Sequence, residues 1–277
     1  MPELPEVERG RRLAESVALS RRIERVRCAR DEIVFAGVSP VRMGRALKGK
    51  EVRAVRRWGK QLWFELSSPP HPLFHFGMTG AFVAPATEAL SLQSAPPPDT
   101  AWPPRFTKIH LWLDDGGELV MTNARRLGRI LLRDDPFAEE PLRSLGFDPL
   151  LGLPGPADFA RRAGRRRTPI KALLLDQGFA AGVGNWIADE VLYQAKIDPR
   201  RRADTLSEVE AKRIRSCMKR IIEKAVAVDA EKKRFPRAWL FHRRWGRNSE
   251  AVTARGEKIR HITLAGRTTA WVPGVQR

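Results

Sequence analysis

The chain has 277 residues, 42% hydrophobic and 30% charged, which is enough for a packed core and too apolar for disorder to dominate. Lys and Arg number 51 against 32 Asp and Glu, a formal charge of +19 that points to a polyanionic partner, with nucleic acid first. The two cysteines, Cys28 and Cys217, give neither a disulfide framework nor a cysteine-based zinc site, and no apolar run approaches the roughly 18–20 residues that span a bilayer.

Taken in chain order, the start is acidic and proline-containing, and no apolar stretch follows that would read as a signal peptide. Residues 7–18 are expected to be helical, with Glu3 and Glu6 at the end that favours negative charge. Alternating segments at 22–28, 51–58, 61–66, 73–76 and 81–84 read as strands. A Pro-, Ala- and Ser-rich stretch, 85–104, reads as a long surface loop, and strands resume at 108–113, 119–122 and 129–132. Many short strands favour a sandwich or barrel.

The pattern turns helical after a Pro- and Gly-containing connection at 134–156, with helices expected at 157–162, 169–176, 185–194 and 206–228. Thr205 and Glu208 have the spacing of a capping box, and Ile214, Cys217, Ile221 and Ala225 form an apolar stripe, which makes Cys217 a core residue. Strand-like pieces at 258–263 and 268–272 flank Ala265-Gly266, a hairpin turn.

Several pieces have chemistry to offer. Removal of Met1 would leave Pro2 as a secondary amine. An α-amine titrates near 8, far below lysine, so roughly a tenth of it is neutral at neutral pH and able to attack a sugar carbon. The resulting iminium is already cationic and withdraws electrons from the sugar. Glu3 stands beside it as a general acid and base. The plain alternative is that Pro2 begins a chain whose glutamates cap a helix. Gly182-Val183-Gly184-Asn185 joins two helices by a tight turn that would aim the amides of the second at an anion. Lys60 follows Gly59 between two strands, Met78 lies between Gly77 and Gly80, Arg125 and Leu127 sit on a loop, and Arg267 lies at the hairpin turn. Taken singly, each of these also reads as a core residue or a solvated basic loop.

Together and in this order, the pieces resemble the formamidopyrimidine-DNA glycosylase and endonuclease VIII family nearly end to end. MPELPEVE and LLLDQGFAAGVGNWIADEVLY carry the resemblance, the second being similar to the family's helix–two-turns–helix motif. The resemblance implies an α+β chain with a DNA cleft between two domains. An N-terminal catalytic β-sandwich with a flanking helix would span 1–135, a helix–two-turns–helix domain 150–230 and a finger hairpin 231–277. It implies a base-excision-repair glycosylase and abasic-site lyase for oxidised purines, formamidopyrimidines and 8-oxoguanine among them, acting as a monomer on double-stranded DNA that contains oxidised bases or abasic sites. Strand cleavage would follow by β/δ-elimination. Carried over by position, Pro2 is the nucleophile, Glu3 the general acid and base, and Glu6 a support for the amine. Lys60, Asn185 and Arg267 hold phosphates, Met78 fills the gap left by the flipped base, and Arg125 addresses its widowed partner. The alternatives are a preference for oxidised pyrimidines and a non-catalytic binder of damaged DNA.

The sequence departs from the family pattern twice. The family usually ends in a four-cysteine zinc finger, but Val272 and Val275 stand where the last two cysteines would fall, and no Cys-x-x-Cys precedes them. A zincless finger and no cofactor are therefore expected, with packing by Trp239, Phe241 and Trp271, as in the plant and fungal branch. That branch more often has Phe where Leu127 stands, and Leu cannot stack on a base as an aromatic does. The compartment expected is the nucleus in a eukaryote, where Lys232-Lys233-Arg234 could serve as an address, and the cytoplasm in a bacterium.

Overall fold

Leu4, Val7, Ala14 and Ala18 recur with a helical period and are buried along one face of α1 (Leu4–Ala18). The helix begins three residues before the expected start because Pro5 suits a first turn, where its missing N–H is not needed. The structure, a computed structural model, describes residues 1–85, 101–246 and 250–277, so most of the loop expected at 85–104 lies outside the described residues. The chain divides into two units, Met1–Ser144 and Leu145–Arg277.

The first unit is built on two four-stranded antiparallel sheets. One has the order β1 (Ile23–Cys28), β6 (Thr107–Leu113), β7 (Glu118–Thr122), β5 (Ala81–Val83), and the other β2 (Val52–Trp58), β3 (Gln61–Leu66), β4 (His71–His75), β8 (Arg129–Arg133). Their inward residues share one core, with Ile109, Leu111 and Met121 from the first sheet and Leu62, Phe64 and Phe74 from the second. Val7, Ala14 and Ala18 of α1 join the same core. A short helix absent from the sequence reading, α2 (Pro40–Leu47), is capped by Ser39, whose Oγ accepts the Arg42 amide at 3.2 Å. Only Met43 and Leu47 of it are buried, too few residues to show a period.

The second unit contains α3 (Pro156–Gly164), α4 (Ile170–Leu175), α5 (Asn185–Ala195) and α6 (Glu208–Ala227), followed by the hairpin β9 (Arg260–Leu264) and β10 (Arg267–Trp271). The expected stripe Ile214, Cys217, Ile221 and Ala225 is buried along α6. The capping box, however, is Ser207 with Glu210, not Thr205 with Glu208: Thr205 lies in a preceding 3-10 turn, and Ser207 takes the extended conformation a cap requires. Among the described residues no helix is long and apolar enough to cross a membrane.

Candidate functional site

The start of α1 buries three residues of the opening motif side by side. Pro2 is buried, and Glu3 and Glu6 are 2% and 4% exposed. The Glu3 amide donates to Glu6 Oε2 at 3.0 Å, which satisfies an N–H the helix cannot pair internally. Burial, reinforced by the nearby Glu3 carboxylate, pushes Glu6 up to about 7. Pro2 and Glu6 line a small cleft with Arg9, Phe76, Gly80 and Phe82. Gly10 has no room for a side chain there, since a Cβ would come within 2.8 Å of the Phe76 ring. The nucleophile candidate, the Glu6 carboxyl and the end of the loop that bears Met78 therefore border one cavity.

Lys60 is set by a second local device. It is the second residue of the tight turn joining β2 to β3, whose first residue, Gly59, has φ +58°, as such turns require. Beneath the turn, the fully buried Arg57 side chain donates to Glu8 Oε2 at 2.8 Å and to the Gly59 carbonyl at 3.1 Å. This ion pair ties the Lys60 turn to α1. His75, not assigned a role from sequence, enters here: its strand neighbour is Gln61, and Lys60 and Arg129 act on its charge. Burial first, then those two cations, hold it down to about 4. Its Nδ1 accepts the Gly77 amide at 3.3 Å, which leaves the ring proton of the neutral imidazole on Nε2. The readable signal is its place two residues before Gly77, which opens the Gly77–Gly80 turn.

Met78 and the Arg125–Leu127 loop are held together by Asn123, which is fully buried. Its Nδ2 donates to the Phe76 carbonyl at 2.9 Å, its Oδ1 accepts the Gly128 amide at 3.3 Å, and the Arg125 amide donates to Thr79 Oγ1 at 3.3 Å. Gly77, at φ +61°, packs so closely on the other loop that a Cβ would lie 2.4 Å from the Leu127 carbonyl carbon. Met78 is half-buried, while Arg125 and Leu127 are exposed. The next arginine faces the protein instead. Arg126, at φ +53°, grips the buried Asp31 with Nε at 3.0 Å and Nη2 at 3.1 Å, and Lys108 joins the same carboxylate at 2.8 Å. The Arg126 and Lys108 cations hold the Asp31 carboxyl below its usual range against the effect of burial.

In the second unit, the segment between α4 and α5 makes two successive turns, Phe179 N to Asp176 O at 2.9 Å and Val183 N to Ala180 O at 3.3 Å. Gln177 closes them, donating to Leu175 O and Val183 O and accepting the Gly182 amide. Gly182 sits at φ +94°. Asn185 then begins α5, and its Nδ2 donates to the Thr268 carbonyl at 2.9 Å, next to the exposed Arg267. The Asn185 side chain thus reaches the strand residue next to Arg267, which lies 82 residues on in sequence, near the turn of the hairpin, where Ala265 and Gly266 have φ +49° and +68°. Trp239, Phe241 and Trp271 are 7%, 3% and 6% exposed, and Phe241 and Trp239 pack about the Trp186 ring. The finger does not fit a tetrahedral thiolate site: Val272 is buried in an apolar cluster with Leu240, Ile259 and Ala270, and no group of three or more metal-binding side chains occurs among the described residues.

Comparison with known proteins matches residues 1–130 to the formamidopyrimidine-DNA glycosylase N-terminal domain and residues 145–236 to the formamidopyrimidine-DNA glycosylase H2TH domain. A formamidopyrimidine-DNA glycosylase of Arabidopsis thaliana is 43% identical over 278 aligned residues, covering all of this chain and 71% of the relative. One from Desulfitobacterium hafniense is 32% identical over the whole of both chains. In fold, the chain matches the Lactococcus lactis formamido-pyrimidine DNA glycosylase bound non-covalently to DNA containing an AP site, with a TM-score of 0.80 at 24% identity over 99% of each chain. It also matches MutM in complex with DNA containing carbocyclic 8-oxo-G, with a TM-score of 0.81 over the whole of both chains.

Proposed function

The chain belongs to the formamidopyrimidine-DNA glycosylase family, and from that premise we infer that it is a DNA-repair glycosylase and abasic-site lyase for oxidised purines, working through the amine of Pro2. The observation that carries this reading is the intact, buried Pro2–Glu3–Glu6 cluster at the start of α1 on a strongly basic chain. Loss of Met1 frees the Pro2 nitrogen. A carboxylate beside an amine favours its ammonium form, and Glu6, whose proton burial holds well above the usual carboxyl range, adds less negative charge there than an ionised carboxylate would.

The amine attacks C1′ as the bond from C1′ to the base breaks, with Glu3 handling the proton. The C1′–O4′ bond then breaks, O4′ taking a proton, and the opened sugar is held as an iminium; this acidifies C2′, whose proton is lost as the 3′-phosphate leaves, and so opens the way to strand cleavage by β/δ-elimination. A base inside a duplex is out of reach, so the nucleotide must swing out, at a cost of a few kcal/mol that is least for damaged bases. Met78 fills the gap, Arg125 faces the partner base, and Lys60, Asn185 and Arg267 take the phosphates. No zinc is required, and the enzyme acts as a monomer wherever the genomic DNA lies, the nucleus of a eukaryote or the cytoplasm of a bacterium.

The test is an excision panel of duplexes carrying one lesion each, run with Glu3→Gln in parallel. The expected result is preferential release of formamidopyrimidines, with Glu3→Gln losing excision far more than DNA binding. Preferential release of thymine glycol, or normal excision by Glu3→Gln, would overturn the reading.

A further inference from the structure

A two-stranded hairpin is marginal on its own, and among the described residues β10 pairs only with β9. The outer edge of β10 therefore presents backbone groups that need partners. Two side chains of α5 supply them. Asn185 donates to the Thr268 carbonyl at 2.9 Å, and Asp189 Oδ2 accepts the Ala270 amide at 3.1 Å. The spacings match: four residues of helix rise about 6 Å, and two residues of strand advance about 6.7 Å. The same Asp189 carboxylate, itself fully buried, receives Lys171 Nζ of α4 on Oδ1 at 2.5 Å and Arg244 Nη2 and Nε on Oδ2 at 2.6 and 3.1 Å. Lys171 is also fully buried, and the Arg244 side chain is 5% exposed.

One carboxylate thus joins α4, α5, the segment before the hairpin and β10, in a finger whose residues do not fit a metal. We propose that Asp189, with Lys171 and Arg244 around it, is the positioning residue that sets the register of the hairpin on α5 and so aims Arg267 at its phosphate beside Asn185. This rests on the reading of Arg267 as a phosphate ligand. Asp189 acts through β10 and touches no DNA itself.

Removing the carboxylate alone would take its negative charge from between two buried cations, and such a protein can fail to fold. The variant to use replaces the whole cluster with apolar residues of similar size, Lys171→Met with Asp189→Leu and Arg244→Met, an exchange that buried charge clusters often tolerate. Its thermal unfolding establishes that it folds. Binding to a duplex with a stable abasic-site analogue is then measured against salt for wild type, the triple variant, Arg267→Ala and the two combined.

The expected result is a loss of roughly tenfold or more for Arg267→Ala, a similar loss for the triple variant, a salt slope reduced by about one in each, and no further loss on combining them. Lyase activity on single-stranded abasic DNA should keep its kcat in the triple variant, with the loss falling on KM. If Arg267→Ala binds like wild type, the phosphate reading itself fails and the proposal with it. If Arg267→Ala weakens binding but the triple variant binds like wild type, or the losses add, the phosphate reading stands and the positioning role of Asp189 is overturned. If the triple variant does not fold, the single variant Arg244→Met decides by the same cycle, and additive losses there overturn the proposal.

Discussion

Glu6 shows how much a single buried carboxyl can govern. Its ordinary value is 4.5, and burial followed by Glu3 raises it to about 7. The folded protein therefore holds this proton over a range in which the unfolded chain has released it, so stability falls as pH rises from about 4.5 to 7 and levels off above that. Glu190, raised to about 7 chiefly by burial, acts in the same direction. Glu6→Gln keeps an acceptor for the Glu3 amide and has no charge to expel. It is expected to gain stability relative to wild type between pH 5 and 8, by up to a few kcal/mol at roughly 1.4 per pH unit. Thermal unfolding across that range checks it, and a constant offset between the two proteins would show that Glu6 ionises normally. Leu127 poses a different question, since its exposed side chain lacks the aromatic face that stacks on a base. Leu127→Phe is expected to tighten binding to a lesion duplex several-fold. Unchanged affinity would place Leu127 outside the base stack.

At the scale of elements, the Gly77–Gly80 and Arg125–Leu127 loops of the first unit act as one piece because Asn123 bonds both and Gly77 lets their backbones touch. Gly77→Ala puts a Cβ at φ +61° into the Leu127 carbonyl, so a loss of roughly 2–4 kcal/mol is expected. Excision from duplexes should fall at least tenfold while cleavage of single-stranded abasic DNA is largely kept, and equal losses on both would mean that the loops do not serve base extrusion. The sequence announced these loops by their glycines but not the side chain that fastens them, since Asn123 owes its importance to partners 47 residues upstream and 5 downstream. The strands and long helices were legible because their apolar periods are strong. Helix α2 was not, with two buried residues, and the cap of α6 was misplaced by two because Thr205 and Ser207 offer the same chemistry and only backbone conformation separates them. Pro2, Glu3 and Glu6 were legible as a motif, while His75 and the Arg57–Glu8 pair that braces Lys60 depend on strand pairing and burial that spacing does not reveal.

At the scale of the whole molecule, the charge of +19 predicts DNA binding that weakens steeply with salt. The two cationic phosphate contacts proposed for Lys60 and Arg267 would alone give a log–log slope of about −2, and a slope near zero would remove the electrostatic account. The finger is expected to hold without metal, so unfolding temperature and excision should be unchanged by a chelator, and a drop in either would show a bound metal. The central claim is that chemistry begins at the Pro2 nitrogen once Met1 is gone. It is tested most directly by borohydride reduction during turnover on a lesion duplex, comparing the processed protein with one that retains an uncleaved N-terminal extension. The processed protein should be trapped as a covalent adduct with DNA whose linkage maps to Pro2, and the extended protein should fold and bind DNA but give none. Equal trapping of both, or an adduct on a lysine, would contradict the account.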